Sequence, residues 1–331
     1  MSEQTHPIDF VIMWVDGADP VWLEKKKQFQ PDLNTDDAVN RYRDWGTLPY
    51  WFRAVEQFAP WVNHIWLVTD GQCPPWLNTA HEKLTLVDHR DFIPQAFLPS
   101  FNACSIELNL HRIAGLAEHF VFFNDDFFLL RPVTPERFFQ NGLPCDDAVL
   151  SPIIMDGETE IGKICANDLH ILNRHFDKAE TMRRHRGKFL NLCYGTQLLR
   201  TICLLPWHHF PGFFNDHLPQ PFLKSTFEEI WSLEDEALRR VCANRFRDYG
   251  SDVNQWLMRY WQFANGAFVP ASPKRGRCFT DFCPEAAETI RTQACDLICI
   301  NDSHEQHFEE SKAQLLAAFE SILPGKSAFE L

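Results

Sequence analysis

The chain has 331 residues, 45% hydrophobic and 23% charged, with 31 Lys and Arg against 45 Asp and Glu and a formal net charge of −14. That balance belongs to a folded globular chain and not to a disordered one. Its acidity excludes a general binder of nucleic-acid backbones, yet leaves room for a phosphate ligand held by a local arginine cluster or a metal.

Aromatic residues are abundant (29 Phe, 11 Trp), enough for a large core and for stacking surfaces in a cleft. The opening MSEQTHPIDF has no basic segment followed by an apolar one, so no signal peptide is visible. No apolar run approaches the roughly 20 residues that span a bilayer. The expected location is cytoplasmic, with peripheral membrane contact left open. Eleven cysteines occur without a CxxC pair, which favours reduced, mostly buried thiols. Cys295 and Cys299 fall four apart on an expected strand, on one face but about 13 Å apart.

In chain order, IDFVIMWV (8–15) reads as a buried strand that runs into the turn Asp16-Gly17-Ala18-Asp19-Pro20. Residues 21–46 are polar and carry the basic-aromatic stretch Arg41-Tyr42-Arg43-Asp44-Trp45. A helix is expected from about Pro49 to Pro60, then strands over 64–69 and 83–88. SIELNLHRIAGLAEH (105–119) carries a helical apolar stripe and leads into FVFFNDDFFLL (120–130). Strand, turn, helix and strand thus recur, which predicts an α/β protein with a doubly wound, mostly parallel sheet. Residues 131–225 are harder to assign. Thr226 to Glu229 suit a capping box for a helix reaching about 243. A helix over 252–264, a strand over 296–300 and a final helix over 304–322 follow. A single catalytic domain is expected, with 1–130 and 290–331 as the α/β core and 131–289 as a mixed, helical insertion.

Three strands end in carboxylates: at Asp16, at Asp70 and at Asn124-Asp125-Asp126. Ligands bind at that edge of open α/β sheets. The Asn-Asp-Asp trio is flanked by apolar residues on both sides, so a solvated turn explains it poorly. Two adjacent carboxylates there suit a hard divalent ion carrying a diphosphate. The other candidates each have a plain alternative. Asp16 is more often an Asp-Gly turn than a site, and His217 in NDHLPQP is equally a loop histidine. Arg245, Arg247, Asp248 and Asp252 in RFRDYGSD would make an exposed ion-pair face, and Asn301-Asp302 a strand-end turn. The basic stretch Arg183, Arg184, His185, Arg186, Lys188 is a solvated face, or an anion site for an acidic acceptor.

Taken together, IDFVIMWVDGADPVW, RYRDWGTLPYWFRAVEQFAPWVNHIWLVTDGQCPPWL, IELNLHRIAGLAEHFVFFNDDFFL, NDHLPQPFLKSTFEEIW with RFRDYGSDVNQWL, and CINDSHEQ resemble the successive conserved regions of the Stealth family. That family includes bacterial capsular polysaccharide phosphotransferases and the animal N-acetylglucosamine-1-phosphotransferase. The resemblance spans about residues 8–305. It implies a Rossmann-like catalytic region akin to the GT-A nucleotide-sugar transferases, and transfer of a sugar-1-phosphate from a UDP-sugar to a hydroxyl, with release of UMP. The sequence starts almost at the first motif and carries none of the long inserted modules of the animal enzyme, which favours a glycan over a protein acceptor.

The motif positions that carry over are Asp16, Asn124, Asp125, Asp126, His217, Arg247, Asp252, Asn301 and Asp302. Asp125, Asp126 and Asp302 are the expected ligands of Mg²⁺ or Mn²⁺. His217 is the expected base, with Asp16 as the other candidate. Arg247 is expected on the transferring phosphoryl group, and Asp252 beside the catalytic set. Asn124, Asn301 and Arg43 are expected at the nucleotide-sugar donor. By the same resemblance the protein would work in capsular or exopolysaccharide synthesis, beside a membrane assembly complex. A metal-dependent glycosyltransferase on the same donor, or a non-catalytic sugar-nucleotide or glycan binding module, fits the bare residues as well.

Overall fold

The computed structural model describes residues 6–30, 39–155, 160–303 and 307–331. In chain order the elements are β1 (Ile8–Met13), α1 (Pro20–Phe29), α2 (Leu48–Phe58), β2 (Ile65–Thr69), β3 (Leu84–Asp88), α3 (His89–Phe92), α4 (Ala103–Asn109), β4 (His119–Phe123) and β5 (Phe127–Leu129). Then come β6 (Phe139–Gln140), β7 (Leu143–Asp146), α5 (Ile161–His175), α6 (Lys178–Arg184), α7 (Arg186–Phe189), α8 (Leu198–Leu204), β8 (Gln220–Leu223) and α9 (Lys224–Cys242). The last part holds α10 (Gln255–Asn265), β9 (Val269–Pro270), β10 (Gly276–Phe279), α11 (Pro284–Arg291), β11 (Leu297–Ile300) and α12 (Phe308–Ile322).

The main sheet has the order β3-β2-β1-β4-β8. β1 pairs in parallel with β2 and β4, β2 in parallel with β3, and β8 closes the edge antiparallel to β4. Both faces of β1 are covered, as a parallel sheet requires. Phe10 and Ile12 join Val121 and Phe123 in one core, and Val11 joins Phe120 and Phe122 in the other. A second sheet has the order β10-β11-β5, with β5 antiparallel and β10 parallel to β11. A small third sheet is β6-β7-β9.

The expected run 120–130 is therefore two strands. The chain leaves the main sheet at Phe123, turns at Asn124-Asp125-Asp126, and enters the second sheet at Phe127. The parallel pairing puts the ends of β1, β2 and β4 at one edge of the main sheet. The turns at Asp16 and Asp70 and the Asp125-Asp126 joint share that edge.

Several local expectations are revised. Residues 21–46, which sequence leaves without an element, contain α1, capped by Asp19, whose carboxylate accepts the Val21 N–H at 2.9 Å. The helix over 105–119 is cut short at Asn109 and continues as a 3₁₀ turn over Leu110–Arg112, after which Gly115 takes a φ of 90° that no longer permits a helix. Thr226 caps nothing: β8 runs straight into α9, which begins at Lys224 without a side-chain cap. The expected start of the last helix at 304 lies outside the described residues. Pro49 does sit in the first turn of α2, which ends two residues before Pro60.

All eleven cysteines are free, as expected, but five are buried and four exposed. Arg183, Arg184 and Arg186 are exposed, and Arg184 pairs with Glu180 one turn away. Among the described residues no helix is long and apolar enough to cross a membrane.

Candidate active site

The joint between the two sheets is a tight turn. The Phe127 N–H donates to the Asn124 carbonyl at 3.2 Å, and the Ile300 N–H on β11 donates to the Asp126 carbonyl at 3.1 Å. This leaves the carboxylates of Asp125 and Asp126 half-buried between apolar strands. Burial, the neighbouring charge of Asp126 and that of Asp44 together push the Asp125 carboxyl up to about 8. Asp126 Oδ1 is buried without a hydrogen-bond partner among the described residues. Its Oδ2 accepts from the Cys299 thiol at 3.4 Å and lies 3.6 Å from His217 Nε2. A buried carboxylate with an orphaned oxygen is costly unless a cation or donor completes it. Carboxylate oxygens gathered in this way are the donor type that hard divalent cations take.

His217 reaches this turn from the loop before β8. That loop is fixed from behind by α10, whose residues Gln255 to Ala264 are all buried. Arg259 Nη1 donates to the Phe214 carbonyl and to Asn215 Oδ1, each at 2.8 Å, and Asn215 Nδ2 donates to the Tyr260 hydroxyl at 2.6 Å. Arg259 is held in turn by Asp146 through Nε at 2.8 Å and Nη2 at 2.9 Å. The His217 ring stands edge-on to Phe127, with centroids 4.8 Å apart. Burial would lower its basicity, but the Asp126 carboxylate outweighs that and raises it above the ordinary histidine value.

Glu107, on α4, completes the other side. It is buried, and its Oε2 accepts the Gln255 N–H at 3.1 Å. Burial pushes its carboxyl up to about 7, against the opposing pull of the Gln255 N–H, Arg247 and His217. Arg247 and His217 therefore lie within the electrostatic reach of one buried carboxylate. Of the residues expected from sequence, Asp125, Asp126 and His217 meet at this turn, and Arg247 is tied to it only through the field of Glu107.

The rest are placed differently. Asp252 is wholly buried and accepts from Asn102 Nδ2 at 2.8 Å, Asn244 Nδ2 at 2.7 Å and the Asp248 N–H at 2.9 Å. It ties down the loop that carries Arg247 instead of facing the turn. Asp302 has both oxygens engaged by Arg43, at 2.8 and 2.7 Å, and Trp45 Nε1 donates to one of them at 3.0 Å. Arg43 stacks on Phe308, its guanidinium carbon 4.3 Å from the ring centroid. Asn301 Oδ1 accepts the Asp302 N–H at 2.9 Å, and Asn124 lies half-buried at the start of the turn. Asp16 Oδ1 accepts the Ala18 N–H at 2.9 Å, which shapes the loop after β1. That loop packs so tightly that a Cβ on Gly17 would come 2.0 Å from the Tyr42 carbonyl oxygen. At the third strand end, Asp70 is paired with Lys25.

Three contributors were not singled out from sequence. Glu107 carried a signal, as the one acidic residue of the otherwise apolar and neutral stretch ACSIELNL. Asp44 carried none beyond its place in RYRDW. Cys299 carried none, since a thiol inside LICI reads as core.

Two conserved regions of the Stealth proteins match this sequence, region 1 over residues 6–33 and region 2 over residues 41–145. A capsular polysaccharide phosphotransferase of Streptococcus pneumoniae is 44% identical over 333 residues, covering 98% of this chain and 99% of that protein. A receptor polysaccharide phosphotransferase of Streptococcus gordonii is also 44% identical, with the same coverage. An exopolysaccharide phosphotransferase of Lactiplantibacillus plantarum is 42% identical over 327 residues, covering 98% of this chain and 96% of that protein. With identity at this level over nearly the whole length, the chain belongs to the Stealth family.

Proposed function

We propose that this protein transfers a hexose or N-acetylhexosamine 1-phosphate from a UDP-sugar to a hydroxyl of a glycan acceptor, forming a phosphodiester and releasing UMP, in capsular or exopolysaccharide synthesis. The activity named for its relatives supports phosphotransfer on a polysaccharide. The observation that carries the reading is the pairing of His217 with Asp126 at a half-buried carboxylate turn with which no Lys or Arg among the described residues forms an ion pair.

Asp125 and Asp126 are the residues that would hold Mg²⁺ or Mn²⁺, with Asp44 adding negative charge nearby. Such an ion, when bound, neutralises diphosphate charge. His217 takes the proton of the attacking hydroxyl, with Asp126 orienting its ring and stabilising its charged form. The acceptor oxygen forms a bond to the sugar-bearing phosphorus as the bridging P–O bond to UMP breaks. The sugar C1–O bond is untouched, so anomeric configuration is retained. Arg247 balances charge on the transferring phosphoryl group, a role for which a planar guanidinium is suited. Glu107 keeps Arg247 and His217 oriented. Asp252 and Asp302 act one step removed, through the Arg247 loop and through Arg43. Asn124 and Asn301 offer amide groups to donor oxygens, and Asp16 sets the loop on the far side of the edge. The protein would work in the cytoplasm, at the membrane face where the polysaccharide is assembled.

The decisive experiment is a product assay. The purified protein is incubated with UDP-N-acetylglucosamine, Mg²⁺ and a capsule oligosaccharide, and UMP and UDP are separated by chromatography. Acceptor-dependent UMP with a phosphodiester ³¹P signal is the expected result. Acceptor-dependent UDP would make the protein an ordinary glycosyltransferase, and neither nucleotide across a panel of donors and acceptors would make it a binding module.

A further inference from the structure

Cys299 is not alone beside the catalytic pair. On β11 it is the direct register partner of Cys278 on the neighbouring strand β10, so both side chains leave the sheet on one face. The two thiols therefore sit side by side on adjacent strands. Cys299 Sγ in turn contacts Asp126 Oδ2, and one ligand atom each from Asp126, His217 and Cys299 lies within 4.8 Å of the others. Asp126 Oδ1 has no hydrogen-bond partner among the described residues. Cys278 is exposed and the His217 side chain is 38% exposed, so the cluster opens to solvent.

One sulfur, an imidazole nitrogen and a carboxylate oxygen, with the Cys278 sulfur beside them on the adjacent strand as a fourth donor, are a set of a different kind from the oxygens that suit Mg²⁺. Thiolate and imidazole select Zn²⁺ and its borderline-soft neighbours, which prefer four such ligands in a tetrahedron. We infer that Asp126, His217, Cys278 and Cys299 form a binding site for one thiophilic divalent cation of the Zn²⁺ class, and that its occupation stops transfer. Inhibition follows from the ligand set: the imidazole nitrogen that would accept the proton and the carboxylate that orients it are both bound by the ion. The inhibitory half rests on the function proposed above, while the binding half does not.

The test therefore begins without turnover. Metal-free protein, kept reduced with a phosphine, is titrated with Co²⁺ in excess Mg²⁺. The expected result is uptake of one Co²⁺ with a thiolate-to-metal charge-transfer band, displaced by Zn²⁺. The band should be lost in Cys299→Ser and weakened in Cys278→Ser, with affinity at least roughly tenfold lower in each, which corresponds to about 1.4 kcal/mol or more. Co²⁺ uptake without the band would place the ion on carboxylates alone, and a band that survives both substitutions would place it on other cysteines. Absence of uptake would equally overturn the site. In the product assay, one equivalent of Zn²⁺ should suppress nucleotide release by wild type but not by Cys278→Ser. A saturated optical site with undiminished release would overturn the inhibitory half. If no donor gives turnover, the optical experiment still decides the site.

Discussion

Two charge clusters, linked by the loop that runs from Phe214 to His217, are built on opposite principles. Behind His217, Arg259 and Arg275 meet Asp146 and Asp147, two cations with two anions, all buried. Burial opposes the charge on Asp146, yet the two guanidinium groups hold it well below the ordinary carboxylate range. Of that pair's four carboxylate oxygens, only Asp147 Oδ2 lacks a partner. In front, the Asp125-Asp126 turn gathers carboxylates, with Asp44 close enough to raise Asp125, and among the described residues the only basic side chain within salt-bridge distance of Asp126 is His217. The first cluster is scaffold, since each of its carboxylates is paired with guanidinium groups of the protein itself. On the function proposed above, a divalent cation would complete the unbalanced one, and its instability without that ion would be the cost of function.

The largest effect should come from breaking the balanced cluster. Arg259→Ala leaves Asp146 and Asp147 buried with one cation and unhooks the Phe214–Asn215 backbone that presents His217. A loss of about 3–5 kcal/mol is expected, read as a drop in urea midpoint, together with loss of activity.

The unbalanced cluster should respond in the opposite sense. Asp125→Asn removes a carboxyl whose folded value, about 8, exceeds its ordinary 3.8. The folded chain therefore binds the extra proton between those values, and stability falls as pH rises through that window. In chelator at pH 8 the variant should unfold at higher urea than wild type, while its metal-dependent turnover falls at least roughly a hundredfold. A less stable variant would show that Asp125 is a structural acid like Asp146.

His217→Ala should lower kcat by about 10²–10⁴ with little change in donor affinity, measured by calorimetry on the free donor. A matching loss of donor binding would move His217 from proton transfer to ligand binding.

Glu107→Gln gives the smallest and most pH-specific change. Its folded value of about 7 lies above the ordinary 4.5, so wild-type stability declines between those pH values by on the order of 3 kcal/mol. The amide variant should lose that decline, matching wild type near pH 4 and exceeding it at pH 8 in urea midpoint. Its activity should fall less than that of His217→Ala, because Glu107 positions other groups.

Much was legible in the chain because local physics specified it. The β-branched and aromatic runs at 8–13, 65–69 and 84–88 form strands where sequence puts them, since no helix stripe competes. The Asn-Asp-Asp trio marks the site because apolar flanks make a solvated turn implausible. Where the local pattern was ambiguous it misled. SIELNLHRIAGLAEH has the helical stripe, yet Gly115 and the packing of its turn against Trp66 end the helix early. Asp252 and Asp302 sit in motifs with the right residue types, but sequence gives no view of their partners. Asn102 lies 150 residues from Asp252 and Arg43 lies 259 from Asp302, and with Asn244, 8 residues from Asp252, they decide that both carboxylates are already occupied.

By itself, then, the sequence determined the α/β class, the parallel strands and the strand-end carboxylates that mark the functional edge. It did so because hydrophobic period and turn chemistry act over a few residues. The tertiary structure alone decided which carboxylates are balanced and which are left open. Charge compensation is a property of contacts between distant segments, such as Arg259 with Asp146 or His217 with Asp126. The same long-range register brought Cys278 and Cys299 side by side next to Asp126 and His217, a juxtaposition no local spacing could announce.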